Sequence, residues 1–124
     1  MSGVTDIFSF LLMIFFFVNC NSQEDIKTIT TSELKTVLEQ NKIQLLDVRT
    51  PNEIKDGFIA TAIFADYFDA DFYKKATAQL DKTKPVYLYC RSGNRSGKAS
   101  KILQEKGYDV INVLGGYTKW KQEN

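Results

Sequence analysis

Cys90, Arg91, Ser92, Gly93, Asn94, Arg95 and Ser96 follow the apolar run VYLY and precede the evenly patterned segment GKASKILQEKG. Where a strand runs out and a helix begins, the first backbone N–H groups have no partner and carry partial positive charge, so an anion resting there is stabilised without a metal. Arg91 and Arg95 add two guanidinium groups, and Gly93 permits the backbone angles that turn successive amides inward as a nest. A thiol at the entrance of such a loop feels the same field, which favours the thiolate and makes Cys90 a nucleophile near neutral pH. The alternative is plainer: Cys90 is a small buried filler and the arginines are solvated surface. The rest of the composition narrows the chemistry, because the chain has no histidine and two cysteines in all. That removes the usual zinc ligand sets and a histidine base, leaving cysteine, carboxylates, arginine and backbone amides; no metal or cofactor is expected.

The elements that must position this loop can be read from pattern. Residues 26–29 are β-prone, and Thr30 with Glu33 forms a capping box for a helix running to Gln40 with Leu34, Val37 and Leu38 on one face. Ile43 to Val48 is a short apolar run suited to a strand covered on both sides. Thr50, Pro51 and Glu53 then supply a hydroxyl cap, a proline at the first helical position and a returning carboxylate, for a short helix closed by Gly57. Ala62 to Ala65 is a weaker strand. A helix is expected over residues 69–80, with Phe72, Ala76 and Leu80 inward, and a turn at Thr83–Pro85. Val86 to Tyr89 is a strand, residues 94–106 a helix that buries Ala99, Ile102 and Leu103 and stops at Gly107, and Val110 to Val113 the last strand. Gly115 and Gly116 break the chain before a short amphipathic end carrying Tyr117 and Trp120. Strand–helix alternation throughout calls for an α/β fold, a mostly parallel sheet with helices on both faces. Ligands of such sheets sit beyond the carboxyl ends of the strands, where Cys90 stands.

With 124 residues there is room for one domain, and a formal charge of +1 gives no broad attraction to nucleic acid. Residues 7–18, IFSFLLMIFFFV, are too short to span a bilayer but fit a secretory signal. The Cys20 that follows resembles the acylated cysteine of a bacterial lipoprotein, although Asn19 and Phe17 depart from that pattern and no Lys or Arg precedes Lys27. The expected organisation is a signal over residues 1–19, a tether over 20–25 and a domain over 26–124. That places an exported, periplasmic or membrane-anchored body on a lipid at Cys20.

The segments LLDVRTPNEIKDGFI, VYLYCRSGNRSGKASKILQEKGY and NVLGGYTKW resemble the rhodanese family in order and spacing, over nearly everything from Ile26 to the C-terminus. The resemblance implies a three-layer sandwich around a five-stranded, mostly parallel sheet. It also implies a sulfurtransferase, in which Cys90 takes a sulfane sulfur from thiosulfate or a related anionic donor, carries it as a persulfide, and passes it to cyanide or a thiol such as a thioredoxin-like acceptor. The amides of Arg91 to Ser96 would then be the cradle, with the Arg91 and Arg95 side chains holding the donor. Asp47 and Arg49 match the family's early D-V-R segment, either as a structural ion pair or as a direct part of the chemistry. Glu53 and Gly57 fit as scaffold, Gly115–Gly116 as a close-packed turn and Trp120 as a core anchor. Where the family commonly reads Gly-His-Ile-Pro-Gly-Ala, this chain has Gly57-Phe58-Ile59-Ala60-Thr61-Ala62, which puts the local turn in question. Related phosphatases separate cysteine and arginine by five residues, whereas four stand between Cys90 and Arg95. That shorter loop favours sulfur over phosphate. A non-catalytic interaction or persulfide-carrier module is the other alternative.

Overall fold

The computed structural model describes residues 25–124; the expected signal, nearly all of the expected tether and Cys20 lie outside the described residues. The elements in chain order are β1 (Lys27–Ile29), α1 (Thr31–Gln40), β2 (Gln44–Asp47), α2 (Pro51–Lys55), β3 (Ile63–Phe64), α3 (Phe72–Thr77), β4 (Val86–Tyr89), α4 (Asn94–Glu105), β5 (Val110–Val113) and α5 (Gly116–Glu123). The five strands form one sheet in the order β1-β5-β4-β2-β3, and every pairing is parallel. β4 therefore lies at the centre, with Asp47 of β2 beside Tyr89 and Asn112 of β5 beside Leu88.

Side chains alternate across each strand, so neighbours enter different layers. Leu46, Leu88, Cys90 and Val110 face Phe72 and Ala76 of α3 and Ala99 and Leu103 of α4. Leu45, Tyr89 and Val113 face Leu34 of α1, with Tyr117 and Trp120 of α5 packed alongside. This is the three-layer arrangement with helices on both faces. Both capping boxes form: the Thr30 hydroxyl accepts from the Glu33 amide at 3.1 Å, and the Thr50 hydroxyl accepts from the Glu53 amide at 3.3 Å.

Four expectations are corrected. The helix expected over residues 69–80 holds only at Phe72–Thr77. Ahead of it, the Asp66 and Asp69 carboxylates accept from the amides of Phe68 and Asp71 at 2.9 Å each, so the chain turns instead of winding. Gly116 does not break the chain but opens α5, with Gly115 as its left-handed cap. Trp120 is half-buried at the edge of its layer, not enclosed in it. Ile102 is likewise half-buried. In the segment that lacks the family's proline and second glycine, Thr61 takes up the left-handed conformation at φ 73°. The turn still closes, through the Ala62 amide on the Ile59 carbonyl at 3.1 Å. A non-glycine residue there costs roughly 1 kcal/mol.

Candidate active site

Leaving the centre of the sheet, β4 ends at Tyr89, and the next residue, Cys90, is 1% exposed. Three residues on, Gly93 adopts φ 109°, and the chain reverses into α4. That reversal brings the Gly93 amide to 3.1 Å from Sγ of Cys90 and the Ser96 hydroxyl to 3.4 Å. Burial pushes the Cys90 thiol up, but the Ser96 hydroxyl and the amides of Ser96, Gly93 and Ser92 outweigh it, and the thiol sits below its ordinary value. The groups that lower it most are neutral donors of its own loop.

Amides can converge on the sulfur only if the carbonyls of the same loop turn away and find partners elsewhere. The structure provides them from behind. The Tyr117 amide donates to the Cys90 carbonyl at 2.8 Å and the Thr118 amide to the Arg91 carbonyl at 3.0 Å, so the otherwise unpaired first turn of α5 satisfies the loop. The approach is so close that a Cβ on Gly116 would stand 2.5 Å from the Cys90 carbonyl oxygen. The third carbonyl, that of Gly93, accepts from the Gly97 amide and from Nδ2 of Asn112, both at 3.1 Å.

The two loop arginines part company. Arg95 makes a two-pronged pair with Glu53, Nη1 to Oε1 and Nη2 to Oε2 at 2.8 Å each, with the Phe68 ring 5.3 Å from its guanidinium carbon. The carboxylate of α2 thus engages the Arg95 guanidinium at bidentate distance, while Arg95 still interacts electrostatically with Cys90. Arg95 holds Glu53 down to about 2, although partial burial opposes the shift. Arg91 is exposed, and no carboxylate of the described residues pairs with it. It lines a cleft of about 570 Å³ together with Arg49, Tyr117, Thr118 and Lys121 and the carboxylates of Glu53 and Asp56. Ser92 and Asn94 are exposed at the rim.

Asp47 and Arg49 are buried and joined through Nη2 to Oδ2 at 2.7 Å and Nε to Oδ1 at 3.0 Å. Arg49 also donates to the Gly57 carbonyl at 2.8 Å, and its guanidinium carbon lies 4.3 Å from the centre of the Tyr117 ring. The pair thus ties the end of β2 to the turn after α2 and to α5, while Arg49 also lines the cleft that Arg91 enters. Among the described residues no group of three or more Cys, Asp or Glu side chains is placed to hold a metal ion.

Sequence reading missed Asn112, the Gly116–Thr118 buttress and the partnership of Glu53 with Arg95. A signal for the first was present: an amide side chain in VINV, a strand otherwise apolar, calls for a buried partner.

A parallel α/β sheet whose central strand delivers a buried thiol, its pKa lowered by loop donors, marks a class of thiol-centred α/β domains. The rhodanese-like domain matches residues 30–123 of this chain, which belongs to that family. A protein of Allochromatium vinosum named sulfurtransferase is 35% identical over 79 residues, covering 63% of this chain and 71% of that protein. The thiosulfate sulfurtransferase GlpE of Coxiella burnetii is 29% identical over 96 residues, covering 77% and 87%. The crystal structure of a rhodanese-like domain protein from Staphylococcus aureus superposes with a TM-score of 0.70 at 35% identity, covering 77% of this chain and 91% of that one.

Proposed function

We propose that this protein is a sulfurtransferase working through a persulfide on Cys90. The observation that carries the reading is the buried sulfur facing the Gly93 amide at 3.1 Å and the Ser96 hydroxyl at 3.4 Å, in a loop with its carbonyls tied back. The names of the two relatives support the same reaction class.

With thiosulfate as donor, the Cys90 thiolate attacks the outer, sulfane sulfur. A new S–S bond forms to Sγ, the S–S bond of thiosulfate breaks, and sulfite leaves with the electron pair. The outer sulfur of the resulting persulfide carries the negative charge, one atom further from Sγ. Cyanide or an acceptor thiolate then attacks that outer sulfur. The Sγ–S bond breaks, its electrons return to Cys90, and thiocyanate or the acceptor's persulfide departs. Arg91 is the cation that meets the incoming dianion, while Arg95 keeps Glu53 and α2 in place.

Phosphate fits this loop poorly. Four residues separate Cys90 and Arg95, and the Arg95 guanidinium is committed to Glu53. The test is to incubate the protein with thiosulfate and weigh it. Wild type gains the mass of one sulfur and transfers it to cyanide, whereas Cys90→Ser does neither, with turnover down at least roughly a thousandfold. A folded wild type that gains no sulfur, or that hydrolyses an aryl phosphate through Cys90, would sink the proposal.

A further inference from the structure

We infer that Asn112 is a positioning residue for the sulfur chemistry: its side-chain carbonyl holds the single hydroxyl proton of Ser96 while Cys90 is a thiol and yields it to Sγ when the thiol ionises. This rests on the sulfurtransferase reading above only for its meaning, not for its measurement.

A serine hydroxyl has one proton to donate, and here two acceptors face it. Oδ1 of Asn112 lies 2.6 Å from the Ser96 oxygen and Sγ of Cys90 lies 3.4 Å from it. Ser96 is 0% exposed, which leaves little room for water to resolve the competition. While Cys90 is neutral, the amide carbonyl is the better acceptor, and the thiol itself can donate to the Ser96 oxygen, giving a chain from S–H to O–H to O=C. Once Cys90 loses its proton, the sulfur becomes the strongest acceptor within reach, and the hydroxyl turns to it by rotation about one bond. When the charge then moves to the outer sulfur of a persulfide, Sγ weakens again as an acceptor.

The orientation of the amide is fixed by a second contact. Nδ2 of Asn112 donates to the Gly93 carbonyl at 3.1 Å, so a flipped amide would set two carbonyl oxygens face to face. The helix makes room for it. Gly97 lies in the interior of α4, where glycine costs about 1 kcal/mol relative to alanine, and a Cβ there would stand 3.3 Å from Nδ2. Asn112 thus serves two opposed ends: through Nδ2 it anchors the residue whose amide reaches Sγ, and through Oδ1 it competes with Sγ for the Ser96 proton.

Charged and titratable groups around the loop are Asp47 and Tyr89 from β2 and β4, Arg49 just after β2, Glu53 from α2 with Asp56 just after it, and Asp66 ahead of α3. The others are Arg91, Arg95 and Lys98 from the loop and α4, and Tyr117, Lys119 and Lys121 from α5. None changes in the variants below, so each contributes a constant background.

The experiment follows the rate of Cys90 alkylation by iodoacetamide against pH, with circular dichroism confirming that each protein is folded. Asn112→Ala frees the hydroxyl for the sulfur and moves the midpoint down by roughly 0.5 to 1 pH unit, the scale of one hydrogen bond to a charged group. Asn112→Val, a better strand former, reports the same direction should the alanine variant be unstable. Ser96→Ala moves the midpoint up by a similar amount. In the Ser96→Ala background, adding Asn112→Ala moves it no lower, because no hydroxyl is left to release; any shift there is upward, from the loosened Gly93 amide. An equal downward shift with or without the hydroxyl, or no downward shift in its presence, overturns the inference. Neither result touches the sulfurtransferase reading, which stands or falls on the sulfur adduct of the wild type.

Discussion

The Asp47–Arg49 and Glu53–Arg95 pairs differ first in how much water reaches them: the former side chains are 0% and 3% exposed, the latter 25% and 17%. Both couple an arginine to a carboxylate at nearly the same distance, 2.7 Å and 2.8 Å. Desolvating two charges is expensive, and the buried pair is offset by several hydrogen bonds, Arg49 reaching Gly57 as well as Asp47. The outer pair keeps contact with solvent and can be altered at modest cost. One arginine is thus architecture under the site, and the other sets where a wall of the site stands.

The largest effect expected from breaking this comparison comes from Asp47→Ala. It strands Arg49 uncompensated in the interior and should lower unfolding stability in urea by about 3 to 5 kcal/mol, with loss of transfer following from loss of fold. A smaller loss would mean that Arg49 finds water or another partner.

Next is the outer pair, probed by acid. Glu53 titrates well below its ordinary 4.5, at about 2, so its contribution is present above pH 4.5 and disappears as pH falls from there toward about 2. With partial exposure discounted, that contribution is about 1 to 2 kcal/mol. Glu53→Gln should be less stable than wild type by that amount at pH 7 and should lose less on acidification. Parallel pH curves for the two proteins would show that the pair contributes nothing.

The smallest and sharpest test compares the two loop arginines. Arg91→Ala should raise the KM for thiosulfate roughly 3- to 10-fold with kcat nearly unchanged, as expected for an exposed cation that meets the anion. Arg95→Ala should change KM less and stability more. The reverse order would put Arg95 over the donor and Arg91 in solvent.

Much of this site could be read in the chain before any coordinate. The strand VYLY, the seven residues after it and the helix beyond are local features, and Cys90, Gly93 and Ser96 stand where the pattern put them. Thr50 and Glu53 formed their cap because that motif closes over three residues. Where reading fell short, the competitor was a partner distant in sequence. Arg95 looked free from its own segment, yet Glu53 stands 42 positions away and takes it. The helix expected from residue 69 starts late because aspartate side chains capture the amides of its first turn.

By itself the sequence determined the alternation of strands and helices, the position of the thiol at a strand end and the left-handed glycine that curls the loop, since all three follow from periodicity and backbone preference over a few neighbours. Only the tertiary structure decided how the thiol's surroundings are finished. The first turn of α5 ties back the carbonyls of Cys90 and Arg91, Asn112 of β5 accepts from the Ser96 hydroxyl, and Glu53 pairs with Arg95. Each of these joins groups whose sequence separation carries no local signal, brought into hydrogen-bond range by the parallel order of the strands and the packing of helices across their ends.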